Sequence, residues 1–135
     1  MPLFFHPWND LQIEVVPVPF RELTAKKAGE PSAVIRERVI AARKIQEERF
    51  KGYPGIHCNA QMTSKLFRQY CAIDEECQEL MKSAMERLGL SARAYDRILK
   101  VARTIADLAG DEHINVTHLS EAINYRSLDR ESWGR

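Results

Sequence analysis

The sequence predicts a mainly α-helical bundle preceded by one short β-strand. Three observations carry that expectation: apolar residues recur at helical spacing through most of the chain after residue 33, Ser, Thr or Asp precedes several of those stretches, and Gly follows them. The 135 residues, 44% of them hydrophobic, suffice for one sizeable core. Six Gly and six Pro fall mostly in the first half, which leaves the second half the more regular.

The elements follow in order. Residues 11–16 (LQIEVV) alternate apolar with polar and are β-branched, so they read as a strand stopped by Pro17 and Pro19. It has no obvious partner in this chain and reads as the edge of a sheet elsewhere. Residues 24–33 form a polar loop, with Ser32 placed to cap the helix expected over 33–50. On that helix Val34, Ile35, Val39, Ala42, Ile45 and Phe50 share one arc, and Arg43–Glu47 and Lys44–Glu48 are opposite charges four apart. Gly52, Pro54 and Gly55 end it. Thr63 caps a short helix to about Tyr70, and Asp74 caps another that carries Leu80, Met81, Ala84, Met85 and Leu88 and stops at Gly89. Ser91 opens the most amphipathic helix, with Ile98, Ala102, Ile105, Ala106 and Ala109 on one side and Arg93, Arg97, Lys100 and Thr104 opposite. After Gly110, Thr117 caps a last helix bearing Leu119, Ala122 and Ile123, and a polar tail begins at Ser127.

Composition excludes several functions. Twenty Lys and Arg against 19 Asp and Glu give a net charge of +1, which provides no overall basic excess for nucleic acid but leaves room for a local basic face. No apolar run is long enough for a bilayer, the first residues lack the pattern of a signal peptide, and three Cys make no disulfide framework, so the chain reads as cytoplasmic. None of the six Gly is followed by Lys, so the chain carries no phosphate-cradling loop. Residues 73–76 (IDEE) imitate the acidic end of an ATPase strand, but Asp74 stands where a helix cap belongs. His57, Cys58, Cys71, Cys77, His113 and His118 fit no metal-ligand spacing, and buried thiols with surface histidines are expected instead.

Two basic concentrations remain. A Lys/Arg stripe opposite an apolar stripe is ordinarily a solvated face, but Arg93 lies in the first helical turn, where a cation opposes the helix dipole. An anion brought to that turn would account for it, and a planar guanidinium suits phosphate oxygens. On the 33–50 helix, Arg36, Arg38, Arg43, Lys44 and Arg49 are largely offset by Glu37, Glu47 and Glu48. Arg38 and Arg49 fall within its apolar arc, a placement that points to an interface with another domain or subunit.

The run 89–110 (GLSARAYDRILKVARTIADLAG) closely resembles the C-terminal domain of magnesium-chelatase-like AAA+ ATPases, nearest to their bacterial competence-protein branch. Residues 10–17 (DLQIEVVP), 35–39 (IRERV), 41–43 (AAR), 59–62 (NAQM) and 122–126 (AINYR) extend the similarity over roughly 10–130. The resemblance implies a helical lid that follows an AAA+ core with its own phosphate loop, in an ATP-driven ring whose competence-type members act in DNA branch migration. It implies that Arg93 is the sensor-two arginine, reaching the γ-phosphate of ATP bound by the core. ATP and Mg2+ would then be held through a core this sequence does not include, with the core and neighbouring ring subunits as partners, DNA as a partner of the whole protein, and no membrane. Apart from the resemblance, Arg97 and Lys100 on the basic face and Arg38 in the apolar arc of the 33–50 helix are read as further phosphate, DNA or interface contacts. Trp8 stands where the family carries an arginine thought to serve the neighbouring subunit's nucleotide.

The expected organisation is a leading segment over 1–9, a core-edge strand over 10–20, the helical lid over 21–130 and a tail over 131–135. The alternatives are an autonomous module that binds DNA or protein through its basic helix, and a metal-chelatase subunit sharing the same lid. Without a phosphate loop the purified chain is expected to hydrolyse no ATP; a steady-state phosphate-release assay checks this, and measurable turnover contradicts it.

Overall fold

The computed structural model describes residues 11, 13, 15–25 and 29–133, with the side chains of 127–133 left out. Among these are six helices: α1 (Phe20–Leu23), α2 (Ser32–Arg49), α3 (Ser64–Tyr70), α4 (Glu75–Leu88), α5 (Ala92–Ala109) and α6 (Val116–Trp133), with a 3-10 turn at Asn59–Gln61 between α2 and α3. The mainly helical expectation holds. The N-terminal strand is not found among the described residues: Leu11, Ile13, Val15 and Val16 are exposed and in no regular element, because a strand needs a neighbour to bond.

Local chemistry sets the helix ends. Thr63 Oγ1 accepts from the Leu66 amide at 3.4 Å, Asp74 Oδ1 from Cys77 at 2.8 Å and Ser91 Oγ from Ala94 at 3.3 Å, three of the five expected caps. The backbone bond from Cys77 holds the Asp74 carboxyl below the usual carboxylate range. Gly89 and Gly110 end α4 and α5 with φ of 59° and 73°, a left-handed turn that a Cβ would strain. Other ends differ from expectation. At α2 the N-cap is Pro31, with no side-chain cap, and Ser32 is the first helical residue. The last helix is capped by Asn115 rather than Thr117: Asn115 Oδ1 accepts from the His118 amide and His118 Nδ1 accepts from the Asn115 amide, both at 3.1 Å, in a reciprocal box. Its backbone runs to Trp133 instead of fading at Ser127, since no Gly or Pro interrupts it before Gly134.

α5 is the centre of the molecule. It packs on α6, on α2 and on the 3-10 turn, while α4 packs on α6. Ala94, Ile98, Leu99, Ala102, Arg103, Ala106 and Asp107 are buried on it, which at 100° per residue is roughly 220° of its circumference. Cys77, Met81 and Ala84 of α4, Leu119, Ala122 and Ile123 of α6, and Leu66, Met62, Cys71 and Phe50 complete one core. Ala109, expected on the apolar side, is exposed at the last turn.

α2 departs furthest from its amphipathic reading. Only Ala42 and Gln46 are buried within it, and residues 32–41 are exposed throughout. Val34, Ile35, Val39 and Ile40, each 41–43% exposed, form no part of the core. Leu119→Ala should therefore cost about 2–5 kcal/mol in denaturant unfolding, and Val34→Ala less than about 0.5 kcal/mol. Comparable costs at the two sites would place the first half of α2 in the core after all.

Candidate functional site

Where α2, the 3-10 turn and α5 meet, polar side chains replace apolar ones. The Asp107 carboxylate, 0% exposed, takes Arg49 Nη2 at 2.6 Å and Arg103 Nε at 3.2 Å on Oδ1, and Arg49 Nη1 and Asn59 Nδ2, each at 2.8 Å, on Oδ2. Those four bonds match the lone-pair capacity of a carboxylate. Arg49 also donates to Asn59 Oδ1 at 2.8 Å, and its guanidinium carbon lies 5.4 Å from the Tyr70 ring centroid and 5.9 Å from that of Phe50. Asn59 is engaged on every side: its amide donates to Gln46 Oε1 at 3.0 Å and its carboxamide to Thr104 Oγ1 at 3.1 Å. Arg103 donates to the carbonyls of Asp111 and Glu112 at 2.7 Å each, so one cation satisfies acceptors just beyond the C-terminus of α5.

The sequence pattern hides this cluster. Arg49 was expected at an outer interface because it sits on the apolar arc of α2; it turns inward, its side chain 9% exposed, to meet Asp107. Arg103 and Asp107 are four apart on α5 and resemble a surface ion pair, yet both are buried. Spacing alone gave no signal for them: at roughly 100° per residue they lie at 140° and 180° from Ile98, outside the apolar arc and beside Lys100 at about 200°. Among the described residues no three of His, Cys, Asp and Glu gather as metal ligands. His118 is buried rather than at the surface, its Nε2 2.8 Å from Asp111 Oδ2. Burial pushes the Cys71 thiol up to about 12, against the opposing pull of Arg103, Arg49 and Lys100, and the Cys77 thiol up to about 11.

The other basic residues lie apart from this cluster. Arg93 is the second residue of α5 and exposed, in a first turn without acidic residues, whereas α4 begins with Glu75 and Glu76. Arg97 and Lys100 follow half-buried on the same side, and Arg93 and Arg97 each take part in an interaction within the chain. The stripe is not a fully solvated face, since Thr104 at its end is bonded to Asn59 of the 3-10 turn. Arg38 stands elsewhere, on the exposed half of α2, 2.8 Å from Glu30 with its side chain 54% exposed.

The described residues thus form a helical bundle centred on a capped α5 that bears an arginine in its first turn. The family model for the C-terminal part of magnesium chelatase subunit ChlI matches residues 29–126, and the chain belongs to that family. It is 43% identical over 122 residues to competence protein ComM of Haemophilus influenzae and 41% identical over 123 residues to the uncharacterized protein YifB of Escherichia coli, in each case over 90% of this chain. An uncharacterized protein of Mycobacterium tuberculosis is 31% identical over 98 residues, or 73% of this chain and 19% of its own length. The chain spans 23% of the length of the ComM and YifB relatives. No described helix is long and apolar enough to cross a membrane.

A buried charge that loses its counterion is expensive. Asp107→Ala would leave two guanidiniums facing each other and should cost about 3–5 kcal/mol in denaturant unfolding, whereas Asp111→Ala, at a half-exposed carboxylate, should cost about 1 kcal/mol or less. Equal costs would contradict the central place of Asp107.

Proposed function

We propose that this domain is the lid of a ComM-like AAA+ ATPase and that Arg93 is its sensor-two arginine. The observation that carries the reading is the position of Arg93: an exposed guanidinium in the first turn of the most deeply packed helix, beside backbone amides that favour an anion and with no carboxylate in that turn. A phosphate group there would meet the positive end of α5 and the fork of Arg93 together. The helix carrying it is held on most of its circumference, which suits a residue that must reach a reacting phosphate with little freedom.

The described residues fit part of a nucleotide site. They offer a phosphate-seeking guanidinium but no cluster of carboxylates for Mg2+, and the sequence has no phosphate loop. In this reading ATP and Mg2+ are held by an AAA+ core, and the domain contributes Arg93 to the γ-phosphate, with Arg97 next on the same face. Neighbouring subunits of a ring and, for the whole protein, DNA complete the partners. The family and the relative named as a competence protein support the core and the ring; they support DNA less directly. Autonomous DNA binding through α5 is the weaker reading, because the far end of the basic stripe is covered by the 3-10 turn.

With the domain joined to a nucleotide-binding core of the family, Arg93→Ala should lower kcat for ATP hydrolysis by about 100-fold or more while the domain stays folded. Unchanged turnover, together with salt-sensitive DNA binding by the isolated domain, would favour the autonomous module instead.

A further inference from the structure

α2 and α5 are joined in a way that bears on Arg93. The first ten residues of α2, 32–41, lie outside the core, and the helix is fastened through its second half by Ala42, Gln46, Arg49 and the adjoining Phe50. Its main packing partner is α5. The polar bonds at that contact run between Arg49 and Asp107 and, through Asn59, from Gln46 to Thr104. All of them meet the last turns of α5, whereas Arg93 is at its first turn. From Arg93 to Asp107 is 14 residues, or about 21 Å of helix.

We propose that Arg49 is a positioning residue for Arg93: its two-pronged bond to Asp107 locks α2 to α5, so that the exposed arm of α2 and the arginine at the far end of α5 turn as one body. The inference rests on the sensor-two reading above. Its geometry is that of a lever. A rotation of about 5° at the Asp107 end displaces the Arg93 end by about 2 Å over that length, and misplacement by about 1 Å costs of order 100-fold in rate where reacting groups must be aligned.

The residue types suit a rigid joint. Arg49 presents two nitrogens to two oxygens at 2.6 and 2.8 Å, which fixes orientation as well as distance, and the Tyr70 and Phe50 rings leave its plane little room to swing. Lysine at 49 would keep the charge and lose the fork. Asn59 braces the joint from the side and has no unused polar group with which to release it. A force applied to the α2 arm thus reaches α5 through bonds that resist both sliding and twisting.

The test is a double-mutant cycle on ATP turnover with the domain on its nucleotide-binding core, thermal unfolding being measured in parallel so that every variant is assayed while folded. Arg49→Lys should lower kcat about 100-fold with KM for ATP nearly unchanged, and should lower it no further in an Arg93→Ala background. Asp107→Asn, which breaks the same joint from the other side, should reproduce the pattern. Unchanged turnover in Arg49→Lys would overturn the proposal, and so would an equal fractional loss in both backgrounds, since that is the signature of a merely structural residue. Both results leave the sensor-two reading standing if Arg93→Ala alone is defective; if Arg93→Ala alone is fully active, that reading fails and the positioning role fails with it.

Discussion

The Asp107 carboxylate lies out of water between guanidiniums that arrive from two directions. Arg49 approaches from α2, and Arg103 from one turn back on α5. Taking these groups out of water is costly, and the cost is offset only when every acceptor and donor finds a partner. That requirement dictates much of the surrounding structure. It calls for Asn59 at the junction, which is supplied by the 3-10 turn, and it brings α2 close enough to α5 for Gln46 to reach the Asn59 amide. Arg103 uses its remaining nitrogens on the chain leaving α5, which helps to set the turn that leads into α6.

Against this polar junction, the apolar core is conventional. Leu119, Ala122 and Ile123 fall where a 3.6-residue period places them, and so do Met81 and Ala84. These positions, like the caps at Thr63, Asp74 and Ser91, were legible because their determinants are local: side-chain spacing on one helix, or an oxygen three residues from the amide it accepts. Most of the missed elements depend on what lies distant in sequence. Val34, Ile35 and Val39 have a helical period that is silent about whether anything covers it. Arg103 and Asp107 drew no reading from the sequence, because their burial depends on Arg49, 58 residues from Asp107, which converges on the same carboxylate. Asn115 took the cap from Thr117 because His118 can return a hydrogen bond, a reciprocal arrangement that one-residue capping preferences do not register.

The candidate site was legible in one respect and opaque in another. Arg93 could be singled out because a cation in a first turn contradicts a simple electrostatic preference, and the structure places it exposed in that turn. The machinery that holds its helix could not be read. The similarity at 59–62 carried Asn59 as a motif letter, and only the fold explains it, as the residue that ties Gln46, Arg49, Thr104 and Asp107 together.

The domain so described has a densely packed centre in α5, an exposed arginine at one end of that helix and the exposed first half of α2 attached near the other. In the function proposed above, Arg93 would meet a phosphate at one point and the arm of α2 would hand motion on at another. The measurement that tests this most directly is a structure of the domain on its nucleotide-binding core with a non-hydrolysable ATP analogue. The account requires the Arg93 guanidinium to lie within about 3 Å of a terminal phosphate oxygen. A terminal phosphate bound by core residues alone, with Arg93 beyond hydrogen-bonding reach, would contradict it.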